Sequence, residues 1–164
     1  MEGFDMIRLS EPQLQVVSIN ISSGGIPKRP VDAVYIDARG LEGDGHHHAK
    51  HHRPEQAVCL QDVEKLVELR AEGYPLFYGT TGENLTVQDL HVNALPAGTI
   101  LEFSGGVILE LTKVRQPCYV LDAIHPKLKE AILGRCGYYA RVVREGRLVQ
   151  GERIRVVNKI QVFA

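Results

Sequence analysis

Cys118 is the side chain best placed to do chemistry. It closes an apolar, alternating run from Leu111 that carries two cations, Lys113 and Arg115, and is stopped by Pro117. A strand end sets side chains at a rim, where ligands are met. A thiol beside Arg and Lys is expected to have a lowered pKa, and the thiolate is the form that attacks electrophiles or binds metals. The alternative is a small apolar filler, since free cysteine is often buried. Lys28 and Arg29 follow the break Ser22-Ser23-Gly24-Gly25. Such a turn can bind an anion through backbone N–H groups and cations, or can be a solvated hairpin. Glu83 and Asn84 stand at the entrance of the run Gly82–Val87, where they fix a ligand or cap the turn.

Histidine is concentrated at His46, His47, His48, His51 and His52. His is the commonest metal ligand, and pairs four apart meet on one helical face. No Glu follows the first His, so the zinc-protease motif is absent. The competing reading is a polar loop in which one or two histidines matter. Cys59, inside the apolar run Ala57–Leu60, is expected in the core. Cys136 lies between Arg135 and Gly137 and is read as structural, or as a resolving thiol if it approaches Cys118.

The elements that carry these residues are short. Leu14–Ile21 and Val31–Ala38 read as strands, with a tight turn over 40–45. Asp62–Glu72 reads as a helix with Val63, Leu66, Val67 and Arg70 on one face and Gly73 as its stop. Gly82–Val87, Thr99–Phe103 and Val107–Arg115 follow as strands, the last two joined by Ser104-Gly105-Gly106. Pro126–Leu133 reads as a short helix, then Tyr138–Arg144, Arg147–Val149, Glu152–Val157 and Ile160–Phe163 as strands. Seven to nine strands with hairpin spacing and two helices predict a closed or partly closed β-barrel rather than a βαβ sheet.

The 164 residues are enough for one domain with a core. With 44% hydrophobic and 24% charged residues and a net charge of −1, the chain has no global charge that would point to nucleic acid or a membrane surface. Three cysteines without a close pair predict a reducing, cytoplasmic setting. No signal peptide or membrane-length apolar run is read, and no phosphate-loop or dinucleotide fingerprint.

Taken in order, Gly25-Ile26-Pro27-Lys28, Gly40-Leu41-Glu42-Gly43-Asp44, Gly82-Glu83-Asn84-Leu85-Thr86-Val87, Leu95-Pro96-Ala97-Gly98-Thr99, Pro117-Cys118, Tyr139-Ala140-Arg141-Val142 and Gly151-Glu152 resemble the MOSC domain, named for the C-terminal region of molybdenum cofactor sulfurases. The resemblance covers 14–157, leaving 1–13 as an N-terminal arm and 158–164 as a tail or extra strand. It implies a mainly β (α+β) fold, a closed barrel like the pyruvate kinase barrel domain with two or three short helices. It implies the molybdenum cofactor (molybdopterin) as ligand, with Cys118 as molybdenum ligand or sulfur carrier. Lys28, Asp44, His52, Glu83, Asn84, Arg115 and Arg141 would surround that cofactor.

Two functions follow from the resemblance: cofactor sulfuration by sulfur transfer, or reduction of N-hydroxylated compounds as a small oxidoreductase. The expected partners are an external electron donor, or a cysteine desulfurase or other sulfur donor, since no flavin, haem or iron–sulfur motif is present. No nucleic acid or membrane partner is expected, and an oligomer is left open. The pattern departs from the family where a His-Gly-Gly segment is usual and the chain reads His52-Arg53-Pro54. No lysine is set in a PLP-enzyme context, so no PLP is expected. The alternatives are a non-catalytic cofactor or sulfur carrier and, further off, a metal protein built on His46–His52.

Overall fold

The computed structural model describes residues 13–45 and 53–157. The first strands are β1 (Gln15–Ile21), β2 (Arg29–Val31), β3 (Ala33–Asp37) and β4 (Gly40–Leu41). Then come β5 (Val58–Asp62), helix α1 (Val63–Ala71) and β6 (Leu85–Gln88). The chain continues through β7 (Ile100–Phe103), β8 (Ile108–Val114), helix α2 (Leu128–Ala131), β9 (Tyr138–Arg144), β10 (Gly146–Val149) and β11 (Ile154–Val157). Among the described residues the fold is mainly β with two α-helices, as expected.

Eight strands form one mixed sheet in the order β11-β7-β8-β9-β5-β6-β1-β2, and β10-β3-β4 form a second. The expected closed barrel is not what these ladders make. Residues 151–154 do reach the start of β1, through the single bridge Gln15↔Arg153 and backbone bonds such as Val16 N–H to Glu152 O. Among the described residues no continuous ladder joins the two ends of the large sheet, because the C-terminal half of β1 on that side is taken by β2. A second departure lies in the middle. β5 and β6 pair in parallel with α1 between them in sequence, so a βαβ unit sits inside an otherwise antiparallel arrangement. Parallel neighbours need such a crossover, and both of their faces are covered. All five residues of β5 are buried accordingly.

The alternation read in the sequence holds along β8, where Leu109 and Leu111 are fully buried beside Val107. They join a core with Val16, Ile19, Leu60, Leu85 and Leu101. A smaller apolar cluster of Leu66, Leu69, Leu76, Leu121, Leu128, Ile132 and Cys136 packs the helices. The expected stripe of α1 is turned. Leu66 and Leu69 are its buried residues, while Val67 is 64% exposed. Leu69 joins Leu76 and Leu121 in this cluster, and Val67 is not among its members. The stop at Gly73 is as read, with φ at +107°.

Candidate functional site

Cys118 is exposed, whereas the other two free cysteines, Cys59 and Cys136, are buried. Beyond β8 the ladder runs on by one bond, Arg115 N–H to Gly137 O at 3.0 Å. Pro117 then turns the chain out. Cys118 is the residue before a 3-10 turn over Tyr119–Ala123, and its carbonyl accepts from Leu121 N–H at 3.1 Å. Leu121 is fully buried, so the turn is pinned to the small apolar cluster while the thiol faces outward.

Arg115 goes the other way. It is 9% exposed. Its Nη2 donates to the Thr81 carbonyl at 2.6 Å, and among the described residues its buried Nη1 has no partner of full hydrogen-bond geometry, although the guanidinium lies close enough to Cys59 and Tyr139 to stabilise their ionised forms. A cavity of about 130 Å³ opens beside it. Lys28, Gln56, Asn84 and Arg115 supply the polar wall, and Cys59, Tyr139 and the side-chain-free Gly82 complete it. Gly82 has φ at +93°, and a Cβ there would press on Ile26 at 3.0 Å. Cys59 and Tyr139 are cross-strand partners on β5 and β9. Burial pushes the Cys59 thiol and the Tyr139 phenol up, while the charge of Arg115 works against it on both.

The remaining expected ligands divide into wall, support and outlier. Lys28 is on the wall, and its Nζ donates to both oxygens of the buried Asp44 at 2.9 and 2.8 Å. Asp44 also accepts from Ser22 N–H and Asn84 Nδ2, so it holds Lys28 rather than lining the cavity. Asn84 Oδ1 accepts from Cys59 N–H at 3.0 Å. Glu83 is fully buried and accepts from Gly79 N–H, Thr81 Oγ1 and Thr86 Oγ1 at 2.7–3.0 Å. It braces the loop whose Thr81 carbonyl grips Arg115, and it is not on the wall. Arg141 is exposed on β9 and pairs with Glu110 at 2.8 Å, away from the cavity. Alternation puts Arg141 on the same face of β9 as Tyr139, but two residues further along the strand, where it pairs with Glu110, its cross-strand partner on β8. Lys113 is exposed.

His52 and the rest of the histidine cluster lie outside the described residues. Among the described residues no three His, Cys, Asp or Glu side chains converge on a metal position. Cys136 is fully buried, and burial pushes its thiol up to about 11 against the pull of Arg115. Gln56, Cys59 and Tyr139 are site residues that sequence reasoning missed. The signal for Tyr139 was its place at the head of a quoted motif. Gln56 and Cys59 carried none beyond adjacency to an apolar run.

A mixed sheet with a polar cavity behind an outward-facing Pro-Cys turn defines the class of protein. The MOSC domain family matches residues 44–155. Protein YflK from Bacillus subtilis is 31% identical over 163 residues, 93% of this chain and 72% of its own length. A protein named Reductase from Gibberella moniliformis is 31% identical over 134 residues, but the chain spans only 24% of its length. Among solved structures, YiiM from Geobacillus stearothermophilus superposes with a TM-score of 0.73 at 29% identity, covering 89% of this chain and 76% of that one. The YuaD protein from Bacillus subtilis gives 0.75 at 20% identity over 88% of this chain and 95% of that one, a likeness of fold. This chain belongs to the MOSC domain family.

Proposed function

We propose that this chain binds the molybdenum cofactor, with Cys118 as the thiolate that meets the metal and the Arg115 cavity as the receptor for an anionic part of the ligand. The observation that carries the reading is the pairing of one outward thiol with a buried, half-satisfied guanidinium three residues earlier, where the β8 ladder ends. The fit to that group can be judged from the residues. A thiolate is a soft donor suited to a thiophilic metal. The guanidinium Nη1 is a donor that cannot lose its proton and calls for an acceptor. Pockets that enclose whole ligands run to about 300–1,000 Å³, so a cavity of about 130 Å³ takes one end of the cofactor and leaves the rest along the rim. A site with one protein thiolate agrees with a metal whose other ligands come from the cofactor.

When bound, this group supplies two-electron oxygen-transfer chemistry. The chain's part is to orient it: Lys28, held by Asp44, and Arg115, held by Thr81, place positive charge on one side, and Asn84, at the entrance of β6, ties β1 to β5 beneath. In the reductase reading an N-hydroxylated substrate takes up two electrons and two protons and releases water, with electrons from a separate donor. The reductase name of the Gibberella relative supports this arm. The exposure of Cys118 equally supports a carrier whose thiolate takes the outer sulfur of a desulfurase persulfide, the donor cysteine leaving as its thiol, and holds it as a persulfide.

The test is the molybdenum and pterin content of protein purified from a cofactor-producing host. Wild type is expected to carry both, and Cys118→Ser to lose most of the metal. Because Cys118 is exposed, the variant should melt within about 0.5 kcal/mol of wild type. Wild type without either component, or equal content in Cys118→Ser, sinks the assignment. Reduction of an N-hydroxylated purine with an artificial electron donor separates enzyme from carrier.

A further inference from the structure

We propose that the groove between α1 and the segment 73–78 is a docking site for a partner protein, and that the docked segment carries an aliphatic or aromatic side chain beside a carboxylate. Neither Cys118 nor any cofactor takes part. Helix α1 has two apolar stripes. Leu66 and Leu69 are buried in the small cluster. Val63, Val67 and Arg70, four and then three residues apart, share another face, and Val67 is 64% exposed. Phe77, 56% exposed, borders the same face. A depression of about 580 Å³ and a pocket of about 110 Å³ share Arg70, Leu76 and Phe77 as walls, so they form one groove.

Phe77 is held in place. Its N–H donates to Thr80 Oγ1 at 2.9 Å, its carbonyl accepts from Thr80 N–H at 3.1 Å, and its ring stacks on Tyr78 with centroids 4.4 Å apart. Leu76 before it is buried, and Tyr78 after it packs on the small cluster. A side chain already fixed loses little freedom when a partner covers it. Aromatic residues and arginine are enriched at the core of protein interfaces, and clustered exposed apolar groups mark interaction sites.

The charge of the groove selects the partner. Arg70 is the one charged side chain among the described residues that line it. The carboxylates of α1 are engaged elsewhere: Glu64 with Asp89 N–H, Glu68 with Lys65 and Arg135, and Glu72 with Arg135. Arg70 is left without an ion-pair partner among the described residues. A guanidinium on an apolar wall favours a carboxylate, which it meets through paired N–H groups. A second copy laid groove to groove would bring two Arg70 side chains into one patch with no acid between them, and like charges across an interface repel. The occupant is therefore a different protein. The segment continues to Gly79 and Thr81, which hold Lys28 and Arg115, so the partner docks against the loop on which the cavity is built.

The experiment pans a phage-displayed library of random peptides on the full chain and titrates the fluorescein-labelled consensus peptide by anisotropy. The consensus is expected to place Asp or Glu beside a large apolar residue. Arg70→Glu and Phe77→Ser should each weaken the peptide by about tenfold or more. Both residues are exposed, so both variants should fold as wild type does. Exchanging the peptide's acid for Lys should restore binding to Arg70→Glu, which also shows that this variant is folded. Val149→Thr, exposed on β10 and outside the groove, should bind as wild type. The proposal is overturned by the absence of a consensus, by a consensus without an acid, by affinity unchanged in either groove variant, or by no recovery in the charge exchange. It is equally overturned if sedimentation equilibrium shows a dimer of this chain that Phe77→Ser abolishes, since a second copy would then own the face.

Discussion

Asn84 shows how much one amide can organise. Its Oδ1 takes the Cys59 N–H, its Nδ2 reaches Asn20 O and Asp44, and its own backbone bonds both Asn20 and Cys59. It therefore ties β1, β5 and the turn that ends at Asp44 into one wall. Replacing it with Ala strands a buried N–H and loosens the buried Asp44. Asn84→Ala is expected to cost about 3 kcal/mol, since each orphaned buried group costs about 1–3 kcal/mol. Denaturant melts measure it, and a loss under about 1 kcal/mol would mean that Cys59 N–H finds another partner. Glu83, its neighbour, was expected at the ligand and serves instead as the brace of a buried hydroxyl and amide network. Both residues were visible in the sequence as polar groups at a strand entrance. Which one faces the cavity depended on the side to which β6 turns.

The loop from Tyr74 to Asn84 is the element on which the site's charge depends. Gly79 has φ at +80°, its carbonyl accepts from Lys28 N–H at 2.8 Å, and a Cβ on it would run into the Lys28 carbonyl. Gly79→Ala must therefore push the loop away from the β1–β2 turn as well as strain the backbone. About 3 kcal/mol of stability should be lost, and Lys28 should leave its register with Asp44. Gly73→Ala is the matching control. It too has positive φ, but a Cβ there meets open space, so the cost should be strain alone, about 1–2 kcal/mol. Equal losses at the two positions would refute the close-contact account. Circular dichroism melts of both variants decide it.

Across the molecule, Asp62 links the large core to the helical cluster. It ends β5, precedes α1, and accepts Val92 N–H on both carboxylate oxygens at 3.1 and 3.0 Å. Burial, reinforced by Glu64, raises its pKa from 3.8 to about 6, although the Val92 bonds and the charges of His91 and Lys65 pull it down. Between those values the folded chain holds a proton that the unfolded chain releases. This group's contribution is therefore most favourable below pH 3.8. It is lost as pH rises to about 6, and the full penalty of about 3 kcal/mol stands above that. Asp62→Asn removes the titration. The stability difference, variant minus wild type, should climb by about 3 kcal/mol between pH 4 and pH 7 in urea melts, and a flat difference would show that Asp62 does not titrate in this range.

Much of this architecture was already present in local pattern. Alternation over Val107–Leu111, the glycine stop at Gly73 and the hairpin at Ser104–Gly106 depend on neighbours a few residues away, so they read directly. The ordered motifs around Lys28, Asp44, Asn84, Arg115 and Cys118 pointed to the family for the same reason. Long-range pairing read less well. The parallel contact of β5 with β6, the open ends of the large sheet and the turned face of α1 are set by which strands compete for an edge and which leucines meet in the small cluster. The cavity belongs with these. Lys28, Gln56 with Cys59, Asn84, Arg115 and Tyr139 come from five separate segments, and only their convergence leaves one guanidinium nitrogen buried without an acceptor among the described residues. Residue types alone showed that Arg115 and Cys118 could do chemistry together. Packing turned the arginine inward and the thiol outward, because Pro117 breaks the strand between them while Thr81 holds one side and Leu121 anchors the other.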